Sequence, residues 1–426
     1  MASSCPACCM RVVIVDPSYA SPVGHHAELN SALIEALASA GHSVEVWADE
    51  AVPPAPGLRR VSCGCGYIDP RHWADLGGSL HLASRLRRQW DTALAAGAGA
   101  GVPAPDLWLA HGLLPFQQIA LAQLLQHQPP ARVLVSLMFA PGETLSGMAN
   151  LDPALQHQQA GLNARTAHQA LAQACRLAGH QLVLGSSSAT TLHLHAPLLQ
   201  AAGLPPGQLH PAVVGAGCQP QPPAAADQPL VLLHWGDRKP DKGCQEALAL
   251  LQALLQRPPA QRPPWRWLFH SYSQQAWIPQ DRQLLEQANL ELGDALLWLD
   301  EPVSSSAMQQ LLAQCSVALL AYSPSTYAER SSGVLWCYAA ARHAAGVPAQ
   351  AVGYGGHWLQ REAESMGMGW RVAPPAAACR DGDLWLMAIE QAMGDCSQPA
   401  WLPAADHTLG RSFPAWVLEQ LQLAGG

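Results

Sequence analysis

The sequence predicts an α/β protein built from two doubly wound domains facing each other across a cleft, and three observations point there. Apolar runs of about five residues alternate with amphipathic stretches of about 10–15 residues, the pattern of βαβ units around a parallel sheet. That alternation stops once, at the proline-rich polar segment 218–228 (CQPQPPAAADQ), and then restarts, which marks an interdomain linker. The chain has 426 residues, 49% apolar and 13% charged, so it is long enough for two cores and lacks the composition of a disordered chain.

In order, the first strand is the β-branched run 11–15 (RVVIV), followed by an amphipathic helix at 27–40. Further strands are expected at 43–47, 107–110, 133–137 and 181–184, with helices at 116–125 and 163–178 between them. After the linker, strands are expected at 230–233, 265–269, 295–299, 317–320 and 349–352. The helices that separate them fall at 244–255, 281–290, 306–315 and 333–345, and one more is expected at 384–393. The domains read as 10–217 and 229–400, with 401–426 as a C-terminal helical segment packing back across both. Residues 1–9 precede Met10 and the first strand, and are expected to be a dispensable tail.

Charge and cysteine content narrow the function. With 23 basic and 31 acidic residues the net charge is −8, which argues against a nucleic-acid partner. No apolar run reaches the roughly 18 residues of a membrane span, and no signal-like stretch precedes Arg11, so a cytoplasmic protein is expected. The 12 cysteines are mostly scattered and read as reduced, small buried hydrophobes. Cys5, Cys8 and Cys9, and Cys63 with Cys65, are incomplete halves of a zinc site, and no metal is expected.

Lysine use is the most informative feature. All but two of the basic residues are arginine, and the lysines, Lys239 and Lys242, share the segment 236–243 (GDRKPDKG) between a strand and a helix. Arg238, Lys239 and Lys242 thus stand at a strand's carboxyl end beside a helix N-terminus, a setting for phosphate, although a solvated turn would carry the same charges. The second segment, 322–333 (YSPSTYAERSSG), also follows a buried strand and opens a helix. The amides and hydroxyls of Ser331, Ser332 and Gly333 suit a diphosphate, Arg330 could neutralise it, and Glu329 could contact a sugar; an ordinary helix cap would look similar.

These segments, in this order, make the second half resemble the nucleotide-sugar-binding domain of a GT-B-fold glycosyltransferase of the retaining family four (group 1) type. The matching residues are Gly236 with Lys242 and Gly243, then Pro324, Ser325, Glu329 and Gly333, then Gly346, Pro348, Gly355 and Gly356. The first half resembles the acceptor domain, through Gly24, His25 and His26 after the first strand and Ala40-Gly-His-Ser-Val before the second. The resemblance runs from Met10 to about Leu418 and implies two Rossmann-like domains and a hexosyltransferase-type (EC 2.4) activity. It implies a nucleoside-diphosphate sugar as co-substrate, no cofactor, and sugar transfer with retention to a glycan, lipid or small-molecule hydroxyl.

By the same resemblance Lys242, and Arg238 one residue from the usual place, hold the donor diphosphate. Gly236, Lys239, Arg330, Ser331, Ser332, Gly333, Gly355 and Gly356 complete the donor site, and Glu329 faces the sugar as the first glutamate of a Glu-x7-Glu signature. The second glutamate, which implies a ribose contact, is Cys337 here. On the acceptor side Gly24 permits close backbone approach, His25 and His26 stand at a helix start, and His111 follows a strand and points towards the cleft. Relatives often carry a histidine after the strand at 133–137, where this chain has Met138 and Phe139.

Three other features are read more plainly. Asp381-Gly-Asp383 is expected to cap a helix rather than bind a metal, and GAGAG at 97–101 lacks the preceding strand of a dinucleotide fingerprint. Arg85, Arg87 and Arg88 lie on one helix, as a solvated face or a peripheral contact with anionic lipid. Two alternatives stay open, a non-catalytic protein of the same fold that binds a sugar or partner, and a nucleotide-sugar epimerase.

Overall fold

The computed structural model describes residues 9–22, 24–66, 68–141, 153–213, 229–272, 277–328, 330–373, 381–395, 409 and 412–422. Cys5, Cys8, Glu329, Cys379, Cys396 and the linker 218–228 lie outside them. The chain divides into two compact units, Met1–Gly217 with Arg411–Gly426, and Cys218–Gly410.

The first unit is built on seven parallel strands: β1 (Arg11–Val15), β2 (Ser43–Asp49), β3 (Leu58–Ser62), β4 (Leu107–His111), β5 (Arg132–Ser136), β6 (Gln181–Ser186) and β7 (Gln208–Leu209). Their order across the sheet is β3-β2-β1-β4-β5-β6-β7. Central strands are covered on both faces, so β1 and β4 are buried at every residue. The helices are α1 (His25–Ser39), α2 (Leu76–Gly99), α3 (Pro115–Leu125), α4 (Pro153–Ala178) and α5 (Ala189–Ala201). Trp47, Trp90 and Trp108 pack together on one face, with Trp47 and Trp108 edge to face at 5.4 Å.

The second unit holds six parallel strands: β8 (Leu230–Trp235), β9 (Arg266–His270), β10 (Leu296–Leu299), β11 (Cys315–Leu320), β12 (Gln350–Gly353) and β13 (Gly369–Val372). Their order is β10-β9-β8-β11-β12-β13. Its helices are α6 (Cys244–Gln256), α7 (Pro279–Leu292), α8 (Ser305–Gln314), α9 (Gly333–Ala344), α10 (Trp358–Ser365) and α11 (Gly382–Asp395). A last helix, α12 (Phe413–Gln422), belongs to the first unit, where Phe413, Trp416, Val417 and Leu421 join the core containing Leu33 and Leu37 of α1. The chain thus returns to the first unit after the second, as the expected C-terminal helix.

The expected strands all form, each with its ends within two residues of the expected bounds. The strands β3, β7 and β13 were not expected, and all three are at or next to a sheet edge or only two residues long. An edge strand has one open side, so Leu58-Arg-Arg-Val-Ser62 can carry two arginines and shows no apolar run. Asp381 Oδ1 accepts from the Asp383 and Leu384 N–H groups, which makes it a cap for α11. Arg87 is held by Asp91 at 2.8 Å and by the Gln123 carbonyl at 2.6 Å, and Arg85 donates to the Cys63 carbonyl, so two of the three arginines serve the fold. Among the described residues no helix is long and apolar enough to cross a membrane.

Candidate active site

In each sheet the strand order reverses beside its first strand, between β1 and β4 and between β8 and β11. Doubly wound sheets bind ligands beyond the carboxyl ends of the strands at such a reversal. Both groups of residues singled out from the sequence lie there.

In the second unit, β8 ends at Trp235 and the chain turns at Gly236, whose φ of 110° favours glycine. A single 3-10 turn at Pro240–Lys242 leads to Gly243, which caps α6 with φ 75°. A side chain at Gly243 would put its Cβ 2.8 Å from the Ala321 carbonyl oxygen after β11, so glycine is needed for space as well as for conformation. The loop is tied to the second segment by the Ser323 N–H, which donates to the Asp241 carbonyl at 2.9 Å.

Lys242 folds back so that its Nζ lies 3.8 Å from where a Gly236 Cβ would stand. Burial lowers its pKa, and the charges of Lys239 and Arg330 add to this against Asp237 and Asp241. Lys242 and Arg330 therefore share one locality, with Arg330 Nη1 4.0 Å from Asp241. Arg238 is differently placed, with its guanidinium 4.0 Å over the ring of Trp277 beyond β9. Lys239 forms an exposed pair with Asp237 at 3.2 Å. Behind the loop, His234 is buried and its pKa falls to about 4, chiefly through burial and then through Lys242.

At the start of α9 both serine hydroxyls have partners within the fold. The Ser332 hydroxyl accepts from the Leu335 N–H as N-cap. Ser331 Oγ donates to Glu362 Oε2 of α10 at 2.5 Å and accepts from Trp336 Nε1 at 2.9 Å. The helix dipole of α9 leaves its positive end at the Gly333 amides. The buried Glu362 carboxylate is itself set beside that helix start. Gly356 has φ 78° and its N–H donates to Gln360 Oε1, while a Cβ on Gly355 would meet Val372 at 2.8 Å. Both glycines thus have local reasons to be glycine.

In the first unit, the residue after β1 is Asp16, which the sequence reading missed. Its carboxylate is buried and sits among His26, Asn30 and His111. His26 Nδ1 lies 2.8 Å and Asn30 Nδ2 2.7 Å from Asp16 Oδ2, and both donate to it. Asn30 Oδ1 is then left to accept from His111 Nε2 at 3.1 Å. Burial pushes the Asp16 carboxyl up, but the charge interaction with His111 and the contacts with His26 and Asn30 outweigh it and hold the pKa below the ordinary value.

His111, expected on the acceptor side, is a fully buried partner of this network. Burial lowers its pKa to about 4, and burial with the neighbouring imidazoles lowers that of His25 to about 3. Gly24 caps α1 with φ 101°, yet a Cβ there would meet nothing within 4 Å. Its positive φ is the local reason for glycine, and the space beside it is open. The ligand atoms of Asp16, His26 and His111 lie within 4.8 Å of one another, a spacing that a metal could bridge, although the hydrogen bonds already account for it.

Buried neutral histidines make stability depend on pH. His25, His111, His168 and His210 have folded pKa values of about 3, 4, 3 and 4 against 6.5 unfolded. The unfolded chain binds these protons first, so their stabilisation is complete above pH 6.5 and is lost as pH falls from there towards 4. The Tm should drop steeply between pH 7 and pH 5, read by circular dichroism, and a flat Tm over that range contradicts the burial.

The chain matches no protein-family model and no curated protein. Its fold does match solved structures over nearly the whole length. A sucrose-phosphate synthase from Thermosynechococcus elongatus is 18% identical with TM-score 0.55, over 97% of this chain and 98% of that one. An α,α-trehalose-phosphate synthase (UDP-forming) from Burkholderia xenovorans in complex with glucose-6-phosphate is 13% identical with TM-score 0.53, over 98% and 100%. An E. coli trehalose-6-phosphate structure bound with UDP-2-fluoro glucose is 13% identical with TM-score 0.52, over 97% and 98%. At these identities the likeness is one of fold, and the chain has the GT-B fold of two Rossmann-like units.

Proposed function

We propose that the protein is a cytoplasmic glycosyltransferase that moves a sugar, with retention, from a nucleoside-diphosphate donor to an acceptor hydroxyl. The observation that carries this reading is the partly buried Lys242 ammonium, held against the Gly236 turn at the strand-order reversal of the second unit. A partly desolvated cation at the N-terminus of α6, with Arg330 close by, suits a diphosphate. The fold-mates described with UDP-2-fluoro glucose and glucose-6-phosphate support the same chemistry.

In this reading Lys242, Arg330 and the Gly333 amide offset the charge that develops on the departing nucleoside diphosphate. That diphosphate takes the acceptor's proton on the face it leaves. Arg238 braces the loop from Trp277. Glu329 is assigned to the donor sugar through the resemblance of its segment to the Glu-x7-Glu signature. Catalysis then rests on positioning and on electrostatic stabilisation of the leaving group. The test is a product assay with UDP-, GDP- and ADP-sugars, with and without sugar acceptors. Acceptor-dependent nucleotide release and a product with the donor's anomeric configuration, read by NMR coupling, are expected. Donor isomerisation without acceptor, or binding without turnover, would overturn the reading.

A further inference from the structure

Beyond the carboxyl end of β5 the first unit has a pocket with apolar walls, among them Leu113, Met138 and Phe139, and room for roughly one water molecule or one hydroxyl group. Its polar lining is Gln118 of α3, His168 of α4 and His195 of α5. The tautomers follow from the contacts. The Phe139 carbonyl only accepts, so His195 Nε2, at 2.9 Å, carries the hydrogen and His195 Nδ1 is a lone pair. His168 Nε2, 2.9 Å from that lone pair, must then be the donor. What remains is His168 Nδ1, an acceptor on a fully buried side chain with no partner among the described residues.

Gln118 is set in the same way. Its Nε2 donates to the Leu113 carbonyl at 3.0 Å, which fixes Oε1 as a second buried acceptor without a partner among the described residues. Two acceptors cannot satisfy each other, and lone pairs repel the oxygens of a phosphate. The pocket's described lining contains no arginine or lysine to offset such an anion. It also adjoins the Asp16–His26–His111 cluster, since a Cβ on Gly112 would stand 3.3 Å from Met138 Sδ and 3.8 Å from His26 Cε1.

We infer that this pocket receives a hydroxyl group of a neutral polyol acceptor, which donates to His168 Nδ1 or Gln118 Oε1 while its C–H surface rests on Met138 and Phe139. This names the acceptor class for the proposed sugar transfer and rests on that reading. His195 is a positioning residue, because it fixes the tautomer of His168. An acceptor bound here is uncharged at this hydroxyl, in contrast to the glucose-6-phosphate bound to one fold-mate.

The test uses the full chain labelled with 15N-histidine, with the His168 resonances assigned by their loss in His168→Gln. Glucose, myo-inositol and glycerol are titrated separately, with glucose 6-phosphate as the anionic probe. An upfield shift of the His168 Nδ1 lone-pair signal with at least one neutral polyol, and none with glucose 6-phosphate, is expected. Gln118→Met should weaken that polyol at least tenfold while UDP binding stays as in wild type. No shift with any neutral polyol, a stronger response to glucose 6-phosphate, or an unchanged affinity in Gln118→Met overturns the inference. UDP is titrated in parallel, and its failure to bind counts against the transfer reading without altering what the His168 signal reports.

Discussion

Replacing Lys242 by alanine is expected to lower sugar transfer by about 10²–10³-fold, the scale of losing one preorganised charge from an oxyanion-type site, and to change Tm by only a few degrees. The two halves of this expectation have one cause. Burial already lowers the Lys242 pKa in the free protein, so the ammonium is held at some cost to the fold. Alanine removes that cost together with the charge, and Gly236 and Gly243 keep the turn through their own backbone conformations. A purely structural lysine would behave in the opposite way, losing stability while activity per folded molecule stayed intact. Measuring kcat and Tm on one preparation separates the two.

Asp16→Ala carries the largest expected effect on stability. The substitution removes the acceptor shared by His26 and Asn30 and leaves buried donors unpaired, a cost of about 3 kcal/mol. In a unit of this size that corresponds to a Tm lower by about 10 °C. Asp16→Asn should lie between wild type and alanine, because one acceptor oxygen remains but the amide brings a donor against donors. A change below about 2 °C in Asp16→Ala would mean that the network contributes little to the fold.

Much of the fold was legible because central parallel strands are covered on both faces and therefore read as apolar runs. Arg11–Val15 and Leu230–Trp235 are examples, and both are buried throughout. The edge strand Leu58–Ser62 carries no such constraint, and its arginines hid it. The site divides along the same line. Lys242 was visible because lysine is rare in this chain and sits between a strand and a helix. Asp16 gave one local signal, an acidic residue directly after a buried strand, which many turns share. Its partners are His26, ten residues on, and His111, 95 residues on, and no local pattern links them. Ser331 looked free to bind phosphate because its partner Glu362 is 31 residues away on α10. The pairing of His168 with His195 was hidden in the same way, by a separation of 27 residues and a position on two different helices.

The most direct measurement is a thermal-shift titration of UDP, GDP, ADP and dTDP against wild type and Lys242→Ala. A ligand present at about a thousand times its Kd stabilises the native state by about 4 kcal/mol. One nucleoside diphosphate should stabilise the wild type on that scale and leave Lys242→Ala nearly unmoved, which would place the diphosphate at the Gly236–Gly243 turn. Stabilisation by none of them, or equal stabilisation of both proteins, would contradict a diphosphate held by Lys242.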